Sequence, residues 1–118
     1  MTKNRMELGT CGEQIAADAL TAEGMQIVER NWRCSEGEID IIARDGDELV
    51  VCEVKTRRGL GYGTPLESIT RAKMHRLRRL AVRWAMAHDC CLPLRIDAIG
   101  VLLEGPEPVI HHVRGAAL

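Results

Sequence analysis

An Asp-Gly pair at residues 45–46 stands between two apolar, β-branched runs, GEIDIIAR at 37–44 and ELVVCEVKT at 48–56. Asp and Gly tolerate the positive φ that a two-residue hairpin loop demands, so this is the strongest turn signal in the chain. A third run, QIVERNWRC at 26–34, alternates loosely and reads as a strand just upstream. Three successive strands joined by short turns predict an antiparallel meander. Ile41, Ile42, Val50 and Val51 give both hairpin strands an apolar character on either face, which places them mid-sheet.

The flanking segments read as helices and further strands. Leu8, Cys11, Ile15, Ala16, Ala19 and Leu20 recur at spacings of three and four, which predicts a helix over 6–24 with Gly24 as its stop. Thr64-Pro65-Leu66-Glu67 has the form of a capping box with Pro at the first helical position. A helix is expected from there, or from Thr70, to about residue 88, with Leu77, Leu80, Ala81, Trp84 and His88 on its buried stripe. Residues 94–103 and 108–113 read as two more strands, and 116–118 as a frayed tail. The order α-β-β-β-α-β-β over one domain, 1–118, predicts an α/β sandwich around a mixed sheet.

Composition narrows the function classes. Trp32, Tyr62 and Trp84 are the only aromatics, so the core must be aliphatic and a base-stacking platform is not expected. No apolar run approaches the roughly 20 residues of a membrane span, and MTKNRMELGT lacks a signal-peptide core. Five cysteines without a C-x-x-C spacing point to reduced, buried thiols and a cytoplasmic location rather than to a zinc site. Net charge is −1, but it is unevenly spread: residues 1–52 carry 5 basic and 11 acidic side chains, and residues 53–88 carry 9 and 2. The middle segment is expected to face a polyanion.

Strand alternation puts Glu38 and Asp40 on one face, with Ile39 and Ile41 on the other. In the next strand it pairs Glu53 with Lys55. If facing residues across the hairpin have numbers summing to an odd value, Glu38, Asp40, Glu53 and Lys55 all project to one side. Charges on strands this apolar need a partner or a metal. Two carboxylates can hold Mg²⁺ or Mn²⁺, and a nearby lysine can orient the attacking water or stabilise charge on a phosphoryl group. The plain alternative is a Glu–Lys salt bridge.

Gly37-Glu38-Ile39-Asp40 followed by Glu53-Val54-Lys55 resembles the PD-(D/E)xK motif of restriction-endonuclease-like nucleases. The wider pattern is closer still to the YraN-like bacterial family. Gly12-Glu13, Asn31, Arg57, Gly63, Lys73 and Arg95-x-Asp97 match it in order across residues 9–98. That resemblance implies the restriction-endonuclease-like fold, with Holliday-junction resolvases as the nearest functional analogy. It implies Asp40 and Glu53 as metal ligands, Lys55 as the catalytic lysine and Glu13 as a helix-borne acid completing the site. Ile39 stands where the superfamily motif has Pro, as is usual in this family. Without the resemblance, Glu13 would read as a solvated residue favoured by the helix dipole.

Residues 68–88 contain Arg71, Lys73, Arg76, Arg78, Arg79 and Arg83 and no acid, so no helical i±4 partner balances them. Together with Arg57 and Arg58, the residues Lys73, Arg76, Arg79 and Arg83 are expected to contact nucleic acid, DNA rather than RNA, through its phosphates. Gly59-Leu60-Gly61-Tyr62-Gly63 lacks a Walker lysine and reads as a loop flanking the site. The expected function is a Mg²⁺- or Mn²⁺-dependent nuclease, with a homodimer left open. The alternatives are a non-catalytic nucleic-acid-binding domain that keeps the fold, and a module whose basic helix docks an acidic protein.

Overall fold

The computed structural model describes residues 2–59, 61 and 63–116, with the backbone alone for 2–7. Leu60 and Tyr62 of the expected glycine loop, and 117–118 of the expected tail, lie outside the described residues. The elements run α1 (Thr2–Ala22), β1 (Gln26–Cys34), β2 (Gly37–Asp45), β3 (Glu48–Arg57), α2 (Arg71–Ala87), β4 (Leu94–Leu102) and β5 (Val109–Val113), with a short 3-10 turn at Pro65–Ser68. One five-stranded sheet has the order β1-β2-β3-β4-β5, parallel only between β3 and β4, where α2 makes the crossover. This is the expected mixed α/β sandwich.

Each helix covers one face. Ala16, Ala17 and Leu20 of α1 pack on Ile41, Val50, Cys52, Val54 and Ile99. Met74, Leu77, Leu80, Ala81 and Trp84 of α2 pack on Ile39, Ile42, Leu49, Val51 and Ile96. Alternate residues of β3 thus feed opposite layers, as a central strand requires. Cys11, expected on the α1 stripe, is exposed, and Ala17 takes a buried place instead. Of the cysteines only Cys52 is fully buried, while Cys91 is also exposed.

The helix ends follow their residues. Met25 N–H donates to Leu20 O and Gly24 N–H to Thr21 O, both at 3.0 Å, with Gly24 at φ +93°. This is a Schellman close, and glycine is the residue that takes it without strain. The box at Thr64 does not form: Thr64 caps only the 3-10 turn, with no side-chain bond. Thr70 caps α2 by accepting from Lys73 N–H at 3.2 Å. The cause is Pro65 and Leu66, which pack against Gly100 of β4 and hold that turn apart from the helix. His88, expected on the buried stripe, is an exposed cap residue stacked on Trp84 at 4.1 Å. Ala116, expected to fray, donates its N–H to Ile96 O at 2.7 Å.

Gly12 sets how closely α1 lies on the sheet. A Cβ there would stand 1.8 Å from Thr56 Oγ1 and 2.8 Å from Thr56 Cβ. Gly12→Ala must therefore lift the helix off β3, an overpacking expected to cost about 1–3 kcal/mol. A thermal melt checks it: a variant melting at or above the native temperature would show that the contact is not tight.

Candidate functional site

The hairpin closes with Asp45 facing Glu48, so Gly46 (φ +60°) and Asp47 form its two-residue loop. Facing numbers sum to an odd value throughout, from Asp45–Glu48 to Ile41–Cys52. There the ladder stops, and β2 parts from β3. Val54 N–H, which a strand carbonyl would otherwise take, donates to Asp40 Oδ2 at 2.9 Å. The Asp40 side chain thus lies in the gap between the strands rather than on a face. Ile39 packs in the α2 layer and Ile41 in the α1 layer, which corrects the expectation that they share a side. Glu38 pairs with Arg33 at 3.0 Å near the surface, and its charge still reaches Asp40 and helps raise the Asp40 pKa.

Asp40 and Glu53 come together in this split. Their carboxyls lie within hydrogen-bonding reach of each other, and both are largely buried. Burial, followed by the Asp40 charge, pushes Glu53 up to about 8. Burial also raises Asp40, against the opposing Val54 hydrogen bond. Lys55 lies near enough to favour the ionised form of both acids, and Lys73 that of Glu53. Neither lysine makes a direct ion pair among the described residues. The expected alternative, a Glu53–Lys55 salt bridge, is absent there: Glu53 meets an acid.

Glu13 approaches from α1. Burial, and then the Asp40 charge, raise its pKa, while Arg30 and a hydrogen bond from Asn31 act in the other direction. Among the described residues no three His, Cys, Asp or Glu side chains converge closely enough to enclose a metal ion. The acids form a tight pair, Asp40 and Glu53, with Glu13 as a near neighbour. Two clefts open on the site. One, of about 540 Å³, lies between Glu53, the β1–β2 turn and Lys73 and Arg76 of α2. The other, of about 600 Å³, lies between Glu13 and the bare edge of β3 from Val54 to Arg57.

The basic residues are not equivalent. Lys73 and Arg76 line the first cleft, and Lys73 Nζ donates to Ser68 O at 3.0 Å. Arg76 and Arg79 are exposed on α2, and Arg58 is exposed just after β3. Arg57 lines the second cleft, with its Nε buried and unpartnered among the described residues. Arg83 departs from the expectation of an unbalanced helix. It pairs with Glu36 in the β1–β2 turn, 47 residues away in sequence, where no i±4 scan could find it. Arg95 and Asp97 find their partners off the helices. Arg95 holds Asp97 through two hydrogen bonds, 3.0 and 3.1 Å, and Asp45 and Glu48 of the hairpin at 2.9 and 3.0 Å. Asp97 also accepts from Gly115 N–H at 3.0 Å and meets His112 Nε2 at 2.6 Å. That cluster ties the sheet to the C-terminal strand and has no part in the acidic pair.

Fold and site together define an α/β sandwich whose opened central hairpin carries a buried acidic pair flanked by lysines. The chain belongs to the uncharacterised protein family UPF0102, the YraN-like family whose pattern it follows, and the match covers residues 12–101. It is 53% identical over 115 residues to the UPF0102 protein of Renibacterium salmoninarum, covering 96% of this chain and 98% of that protein. It is 54% identical over 117 residues to that of Streptomyces coelicolor, covering 96% and 90% of the two chains. With that of Clavibacter michiganensis it shares 52% over 118 residues, covering 98% and 99%. No helix among the described residues is long and apolar enough to cross a membrane.

Proposed function

We propose that this chain is a metal-dependent nuclease that hydrolyses phosphodiester bonds, in DNA rather than RNA. One observation carries the reading: the Asp40 and Glu53 carboxyls lie near each other and mostly out of water, and among the described residues no lysine is bonded to either. Two carboxylates held close together and largely out of water are unfavourable unless they share a proton or a cation. Their hard oxygens suit Mg²⁺ or Mn²⁺, and Glu13 would complete the set only by moving closer, since among the described residues it stops short of the pair. Such an ion supplies Lewis acidity at the phosphate and a more acidic bound water. The residues around it have separable tasks. The Lys55 ammonium offers charge where negative charge gathers in the transition state. Lys73 and Arg76 hold a phosphate backbone in the first cleft, and Arg57 and Arg58 do so beside the second.

A second reading has one observation in its favour: Glu13 stops short of closing a three-acid set among the described residues. On that reading the domain binds nucleic acid and does not cut it. Incubation with Mg²⁺ or Mn²⁺ and duplex, single-stranded, flap and four-way DNA, with matched RNA, separates the two. Cation-dependent cleavage that is lost in Asp40→Asn supports the nuclease. Binding without cleavage of any substrate supports the second reading.

Binding is expected to rest on α2. Arg76→Ala with Arg79→Ala should weaken duplex affinity and reduce the log–log salt slope by about 0.9 for each phosphate no longer neutralised. Arg83→Ala should do less, because Glu36 already engages it. Filter binding across a salt series reads both. An unchanged slope in the double variant would remove the helix from the interface.

A further inference from the structure

Asn31 is a non-glycine residue in the middle of a strand with φ +53°. Left-handed backbone is uncommon for side-chain-bearing residues, and Asn is among the few that tolerate it. Such a conformation inside a strand must be imposed by its surroundings and is typical of functional sites. The location is specific. The β1–β2 ladder runs through Arg30–Ile41 and Trp32–Ile39, which bracket Asn31 and Asp40. Those two residues stand across from one another, and the ladder skips them.

The consequence is a swap of faces in both strands at one level. Trp32 and Ile39 pack in the α2 layer, whereas Ile41, two residues further along, packs in the α1 layer. Arg30 points to α1, where its Nη1 donates to Gln14 Oε1 at 2.8 Å. An unbroken strand would put Arg30 and Trp32 on the same side. Released from the face pattern, Asp40 reaches into the gap and captures Val54 N–H. Asn31 itself shares a surface hollow with Glu13, Arg30 and Arg33, and its amide is within hydrogen-bonding reach of the Glu13 carboxylate.

We infer that Asn31 is a positioning residue: its left-handed backbone breaks the alternation of β1 opposite Asp40, and its amide holds the Glu13 carboxylate toward the Asp40–Glu53 pair. The inference rests on the metal-site reading above and assigns a task to a residue that would not itself touch the ion. Partners that orient ligands from behind typically account for about 10- to 100-fold in metal affinity.

The test separates backbone from amide. Asn31→Gly keeps the conformation, since glycine adopts φ +53° freely, but removes the amide. Asn31→Ala removes the amide and strains the backbone. Thermal melts and Mn²⁺ titration calorimetry are run on the wild type, both variants, Glu13→Ala, and Glu13→Ala combined with Asn31→Gly. Asn31→Gly should melt within a few degrees of the wild type, with Asn31→Ala clearly lower. Asn31→Gly should bind Mn²⁺ about 10-fold more weakly. In the Glu13→Ala background it should cost nothing further, because Asn31 acts through Glu13. Wild-type Mn²⁺ affinity in Asn31→Gly overturns the inference alone, as does an undiminished loss in the Glu13→Ala background. A wild-type protein that binds no Mn²⁺ overturns the metal-site reading and this inference with it.

Discussion

Without divalent metal, the protein should lose about 2–3 kcal/mol of stability as pH rises from about 5 to about 9. The sign follows from Glu53. Its folded pKa of about 8 lies above the unfolded carboxyl value of about 4.3. Between the two, the folded chain keeps a proton that the unfolded chain has released. Stability is therefore full below the lower value and falls until the upper one is passed. Each unit corresponds to about 1.4 kcal/mol, but solvent still reaches part of Glu53 and Asp40 shares its proton, so the net loss is smaller than the full separation would give. Asp97 titrates in the opposite sense. Its pKa is lowered, although burial opposes this, by hydrogen bonds from Arg95, His112 and Gly115. Its contribution is lost only as pH falls through that depressed value, outside the window of Glu53. Glu53→Gln should flatten the alkaline slope, and saturating Mg²⁺ should do the same by taking the place of the shared proton. Urea melts at a series of pH values with chelator measure this. A flat profile in the native protein would mean that Glu53 is neither desolvated nor held near Asp40.

The second large effect concerns Asp97, which is fully buried in β4. Removing its carboxylate takes two hydrogen bonds from the Arg95 guanidinium, whose side chain is only 14% exposed and keeps only Asp45 and Glu48 among the described residues, and leaves Gly115 N–H without its acceptor. Breaking one partner of a buried pair costs about 3–5 kcal/mol. For a chain of this length, Asp97→Ala should lower the melting temperature by on the order of 10–20 °C. Because the cluster also reaches Glu23 after α1 through His112 and Arg114, β5 should become loose with it. Replacing both partners, Asp97→Leu with Arg95→Met, should recover much of the loss, since no lone charge then remains buried. Mn²⁺ affinity should be nearly unchanged in the recovered double variant. A single variant melting within a few degrees of the native protein would show that the cluster is better hydrated than its burial suggests.

The strands are legible in the sequence because their signal is local. Loose alternation over 26–34, the β-branched apolar run at 37–44 and the Asp-Gly turn are enough to place a meander, and the observed β1 matches residue for residue. The odd register that joins Asp40 to Glu53 is one of two possible outcomes, decided by a turn centred on Gly46-Asp47. The break in alternation at Asn31 and Asp40 has no local signal. It depends on contacts distant in sequence, Val54 N–H of β3 to Asp40 and Gln14 of α1 to Arg30, so alternation alone puts Ile39 and Ile41 on one face although they feed opposite layers. Gly12 reads only as part of a family pattern, because the tight contact with Thr56 spans 44 residues of chain. Arg83 reads as an unbalanced charge for the same reason, its partner Glu36 lying in a distant turn.

Lys55 lies near both acids and is bonded to neither among the described residues, so on the proposed nuclease reading it is the residue on which cleavage would depend most directly. The decisive measurement is the single-turnover rate of Mg²⁺-dependent cleavage by Lys55→Met beside the wild type, on one DNA substrate, with binding measured in parallel. The wild type should cut, and the variant should bind equally well, melt at a similar temperature and cut about 100- to 1,000-fold more slowly. Equal cleavage by the two proteins, or a variant destabilised beyond recovery by Mg²⁺, would contradict the catalytic role proposed for this lysine.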